Sequence, residues 1–173
     1  EKNIDLYHNF DLNRCKFKYQ SYNDLGLIFI TLYQNVEEAY KYISVSGFVE
    51  YPYGKNNLGL LYQYYLNNPV NAQYMYEEAA KYSFCLAEYN LGHMKEKDGN
   101  MKESIEFYKR ASKHEKEPLI FRNHHYGSMR LDISKKFIIC FTNLKLTHYY
   151  FSNAQYKKAK KYFVKMVINL NIS

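Results

Sequence analysis

The chain has no tryptophan, and its 173 residues hold only three prolines, seven glycines and three cysteines. So little glycine and proline disfavours a turn-rich β-barrel and excludes collagen-like or Pro/Gly-rich disordered chains. Cys15, Cys85 and Cys140 are odd in number and scattered, so they make neither a disulfide framework nor a CxxC metal pair. That usage suits a reducing compartment. Long apolar runs are also missing: Leu25 to Tyr33 and Phe137 to Phe141 fall well short of the roughly 20 residues that span a bilayer. The chain begins at Glu1 rather than at a methionine, which reads as a processed product or the ordered part of something longer.

Catalytic signatures are scarce as well. The sequence has no GxGxxG, GxxxxGK[ST] or GxSxG, so phosphate-cradling loops and nucleophile elbows have no support. His8, His93, His114, His124, His125 and His148 form no HExxH motif and no i, i+4 pair. The adjacent His124 and His125 would point about 100° apart on a helix, so they cannot share a metal. Glu37-Glu38 and Glu77-Glu78 are neighbours that do not face each other on a helix, and they read as solvated surface. Cys85 precedes His93 in sequence but reads as a buried thiol in a helix seam. These residues imply no catalytic site, metal or cofactor.

What is present fits one helical domain over residues 1–173, with 47% apolar and 24% charged residues. The 21 tyrosines stand out, and a bias in coding composition explains many of them as readily as chemistry does. The informative feature is a repeat. Ser21-Tyr22-Asn23-Asp24-Leu25-Gly26, Gly54-Lys55-Asn56-Asn57-Leu58-Gly59 and Ala87-Glu88-Tyr89-Asn90-Leu91-Gly92 share one pattern, and Leu25, Leu58 and Leu91 are spaced by 33 residues. Downstream of each block come small residues at helical spacing: Ala39 and Ser46, then Ala72 and Ala79, then Ser104 and Ala111. Each unit therefore reads as two helices. Glycine inside a helix costs about 1 kcal/mol relative to alanine, so Gly26, Gly59 and Gly92 are expected where a neighbouring helix comes close. Asn68-Pro69 and Asn100 with Glu103 mark the starts of second helices.

These blocks, clearest in Ala87 to Met94 followed by Ser104 to Ala111, resemble the Sel1-like branch of the tetratricopeptide repeat (TPR) superfamily over residues 21–113. The resemblance implies an all-α, right-handed solenoid of about eight or nine helices. Its structural positions would be Leu25, Gly26, Leu58, Gly59, Leu91, Gly92, Ala72, Ala79 and Ala111. Residues 114–173 lose the register. Pro118 starts a plausible helix there, and residues 134–170 read as a degenerate final pair whose last helix packs through Tyr156, Ala159, Phe163, Met166 or Val167, and Leu170.

Charge is unevenly placed. Residues 1–117 hold 14 Lys and Arg against 16 Asp and Glu, whereas residues 118–173 hold 10 Lys and Arg against Asp132 alone. Lys157, Lys158, Lys161 and Lys165 gather on the final helix, a face suited to RNA or another polyanion. The expected function is non-catalytic: a protein-protein scaffold or adaptor, one subunit of a larger complex, gripping a partner on its concave face with Tyr62, Tyr65 and Tyr89. The alternative is a structural component of a ribonucleoprotein that contacts RNA phosphate through the basic last helix.

Overall fold

The computed structural model describes residues 18–113 and 128–171, and among these it is helical with no strand. Eight helices follow in order: α1 (18–31), α2 (Val36–Gly47), α3 (Pro52–Tyr64), α4 (Pro69–Ala80), α5 (Cys85–Lys97), α6 (Met101–Lys113), α7 (Ser128–Ser152) and α8 (Tyr156–Asn171). Packing divides the chain into two compact units, Glu1–Tyr82 and Ser83–Ser173. Cys15, His8, His114, His124, His125 and the expected helix start at Pro118 lie outside the described residues.

The helices pair as hairpins, and one turn recurs in every pair. Gln34, Asn67, Gly99 and Ala154 take left-handed backbone with φ of 51°, 46°, 76° and 55°. The next residue (Asn35, Asn68, Asn100 or Gln155) donates its N–H to a carbonyl of the preceding helix at 2.8–3.0 Å. Its own carbonyl accepts the N–H of Ala39, Ala72, Ser104 or Ala159, each at 3.0 Å, and so starts the second helix. The three asparagines add a side-chain cap, accepting from Glu38, Asn71 and Glu103 at 3.0, 3.1 and 3.3 Å. The expected capping box at Asn100 is half made, because the Glu103 carboxylate turns to Lys95 at 3.6 Å. Gly99 and, to a lesser degree, Asn67 are residue types that left-handed backbone favours. Gln34 and Ala154 adopt it because the surrounding turn fixes them there.

From each cap the pattern of burial can be counted. Four residues on, Ala39, Ala72 and Ser104 are fully buried; eight residues on, Ile43, Tyr76 and Tyr108 are buried as well. The aromatic or aliphatic side chain at that second position faces the glycine of the first helix. A Cβ on Gly26 would collide with Ile43, one on Gly59 would lie 2.7 Å from the Tyr76 ring, and one on Gly92 would lie 2.7 Å from the Tyr108 ring. The repeated glycine is thus spent on side-chain access, because the opposing ring occupies the volume a methyl would take. Leu58, Leu91, Ala72, Ala79 and Ala111 are buried as expected. Leu25 is not. It is 36% exposed, whereas Leu58 packs on Gly47 of the preceding hairpin.

In the second unit Ile105, Tyr108, Leu146, Tyr150 and Ala159 form one buried cluster, flanked by Tyr89, Tyr149 and Tyr162. Cys85 and Cys140 are buried thiols, and the Cys140 Sγ lies 3.8 Å from the Met166 carbonyl in the α7–α8 seam. The expected apolar stripe of α8 is rotated. Ala159 is buried, but Tyr156, Phe163 and Leu170 are half exposed or more, while Tyr162 and Asn169 turn inward.

Candidate functional site

An open groove of about 760 Å³ runs along the second unit between α5, α6 and α7. Its walls come from residues one helical turn apart. Ile105 and Tyr108 lie along α6, and Phe141, Leu144, Lys145, His148 and Tyr149 follow the i, i+3, i+4 spacing of α7. Met101, Phe141 and Leu144 are 39%, 55% and 48% exposed. The groove therefore offers apolar surface that this unit does not cover.

One end carries a charged centre. The Tyr108 hydroxyl donates to Glu96 Oε2 at 2.7 Å, and Lys145 Nζ donates to Glu96 Oε1 and Oε2 at 2.9 and 2.8 Å. Burial alone would raise the Glu96 pKa, but the hydrogen bonds from Lys145 and Tyr108 outweigh it and hold the carboxyl below its ordinary value. The Tyr108 hydroxyl is pushed up, by burial first and then by its bond to Glu96. His93 stacks on Tyr89 with ring centroids 6.4 Å apart. Its burial, followed by the charges of Lys97 and Lys145, lowers its pKa. Glu96, Tyr108 and Lys145 thus tie α5, α6 and α7 together. Such an arrangement fixes the shape of the groove. Among the described residues no group of three or more His, Cys, Asp and Glu side chains could hold a metal ion, and no helix is long and apolar enough to cross a membrane.

The three tyrosines expected to grip a partner fall in different surroundings. Tyr62 is buried, and its hydroxyl meets that of Tyr40 at 3.2 Å. Burial and that bond push its pKa up to about 12, so it is a packing residue and not an exposed anchor. Tyr65 is 53% exposed in the first unit. Tyr89 is half-buried against Tyr108, with centroids 5.7 Å apart, and lines the groove. Sequence reasoning missed the rest of the groove. Phe141, Leu144 and Lys145 lie where the 33-residue register fails, so no repeat marked them. The only available signal was their i, i+3, i+4 spacing, on a helix with apolar residues all round.

Of the lysines expected to meet an anion, Lys157, Lys158 and Lys161 are exposed on α8. Lys158 donates to Gln155 at 2.9 Å and covers the Tyr150 ring at 5.3 Å. Lys165, one turn beyond Lys161, is half-buried.

Paired helices with a recurring turn and a glycine opposite a buried ring define an all-α, TPR-like helical-repeat fold. The crystal structure of MamA, a TPR-like helical-repeat protein, is similar: TM-score 0.53 over 93% of this chain and 83% of that one, at 15% identity. No family model matches the chain, and no curated protein matches it.

Proposed function

We propose that this protein is a non-catalytic scaffold of the Sel1-like kind, a subunit of a larger complex that holds a protein partner in the groove of its second unit. The carrying observation is the exposed apolar lining of that groove, with Tyr89, Phe141, Leu144 and Tyr149 around a space of about 760 Å³. Aromatic and aliphatic anchors in a formed groove are where binding energy concentrates. The charged groups beside them are already paired, which favours holding a partner over chemistry. The Sel1-like assignment is supported by the Leu-Gly pairs at 33-residue spacing and by the ring that faces each of Gly59 and Gly92.

The test compares partners retained by the tagged chain with those retained by Leu144→Asp and by Tyr65→Ala. A charge in the apolar wall should release the groove's partner almost completely, while Tyr65→Ala leaves it bound. Replacing Tyr89 by Ala should weaken binding by about 1 to 2 kcal/mol or more, with little dependence on salt. Retention of every partner by Leu144→Asp, or loss only with Tyr65→Ala, would overturn the assignment to this groove.

A further inference from the structure

The outward face of α8 carries two kinds of residue in succession. Lys157, Lys160 and Lys161 are exposed in its first half; Val164 and Ile168, 45% and 47% exposed, continue the same side in its second half. Phe163 and Leu170, 50% and 53% exposed, flank them. Residues 136–171 contain seven lysines, no arginine and no acidic residue. Glu106, whose charge reaches Tyr162 from α6, is already paired with Lys109 at 2.6 Å. Residues 136–171 supply nothing of opposite sign to balance this face.

We propose that the outward face of α8 docks on an anionic lipid surface, with Lys157, Lys160 and Lys161 on the headgroups and Val164 and Ile168 entering the acyl boundary. The residue types favour this occupant. Protein interfaces are depleted in lysine and enriched in arginine, and bidentate phosphate recognition likewise selects arginine's planar fork. A headgroup layer asks only for positive charge, which lysine supplies as a point charge on a long, flexible stem. A phosphate-tracking face on RNA also has no use for exposed Val164, Ile168 and Phe163, whereas an interfacial helix buries such side chains below its basic ones. The lysine half precedes the apolar half by about two turns, roughly 11 Å along the axis. The helix would therefore meet the surface tilted, C-terminal half deeper.

The experiment measures sedimentation of the whole chain with vesicles of phosphatidylcholine, or of phosphatidylcholine containing about one-third phosphatidylserine. Wild type should partition onto the anionic vesicles at least about tenfold more strongly, and less at high salt. A surface lysine contributes about fivefold, so Lys157→Gln, Lys160→Gln and Lys161→Gln together should lower partitioning on the order of a hundredfold. Val164→Ser with Ile168→Ser should lower it about tenfold or more even at low salt. All five positions are exposed, so unchanged circular dichroism and melting would show that both variants fold. Equal partitioning onto the two vesicle types would overturn the proposal. So would full binding by the Val164→Ser, Ile168→Ser variant. Lysine-dependent binding of polyuridylate without vesicle binding would overturn it in favour of RNA.

Discussion

The two hairpins of the second unit begin alike and pack differently. In α5–α6, Gly92 lies eight residues before Asn100 and admits the ring of Tyr108, eight residues after it. In α7–α8 the corresponding positions around Gln155 are Thr147 and Phe163. Thr147 has the side chain that Gly92 lacks, and Phe163 is 50% exposed where Tyr108 is 1% exposed. The residue eight positions past the same turn is thus a buried aromatic in one hairpin and a half-exposed one in the other. In α7–α8 it is Tyr162 that turns inward, stacked on Tyr150 with centroids 5.5 Å apart, while Phe163 lies on the surface beside the lysines of α8.

The hardest blow to this comparison is Gly92→Leu. The added side chain must displace the Tyr108 ring, which is tied to Glu96, so the variant should lose about 1 to 3 kcal/mol or more. A melting curve that overlays wild type would show that the glycine does not set the seam.

Acid should separate the two hairpins by a smaller amount. His93 and Glu96 on α5 both have lowered pKa values, so each contributes stability above its unfolded value that fades as pH falls through its folded value. Loss should therefore begin below about pH 6.5 with His93 and deepen below about 4.5 with Glu96. Residues 136–171, by contrast, include no carboxylate side chain. Melting temperatures across this range should decline less steeply at the upper end in His93→Gln. An identical slope would remove His93 from the account.

The mildest change is at the matching position of the last hairpin. Phe163→Ser should alter stability by no more than about 0.5 kcal/mol, as exposed substitutions usually do. A loss as large as that of Gly92→Leu would mean that the ring is part of the core and that the contrast between the hairpins is false.

Much of the repeat was legible in the sequence, because a helix pair with a fixed turn length imposes a spacing that residues must follow. Leu58 with Gly59, Leu91 with Gly92, and the caps at Asn68 and Asn100 all obey it. The groove was not legible, since Phe141, Leu144 and Lys145 belong to a helix of 25 residues that outgrows the period. Tyr62 and Tyr65 differ by less than one turn, yet one is buried beneath Tyr40 and the other faces solvent. No composition separates such a pair.

By itself, the sequence determined that this chain is a helical repeat, where its second helices start, and which glycines must be small, because these are local requirements of backbone geometry and steric access. The tertiary structure decided which tyrosines are spent on packing. It also decided that Gly54 must lie against the Ser46 backbone, where a Cβ would come within 2.5 Å of the carbonyl oxygen, and that α8 turns Phe163 outward. Those outcomes depend on what the neighbouring helix leaves unfilled. That volume is set jointly by side chains far apart in sequence, so no single segment encodes it.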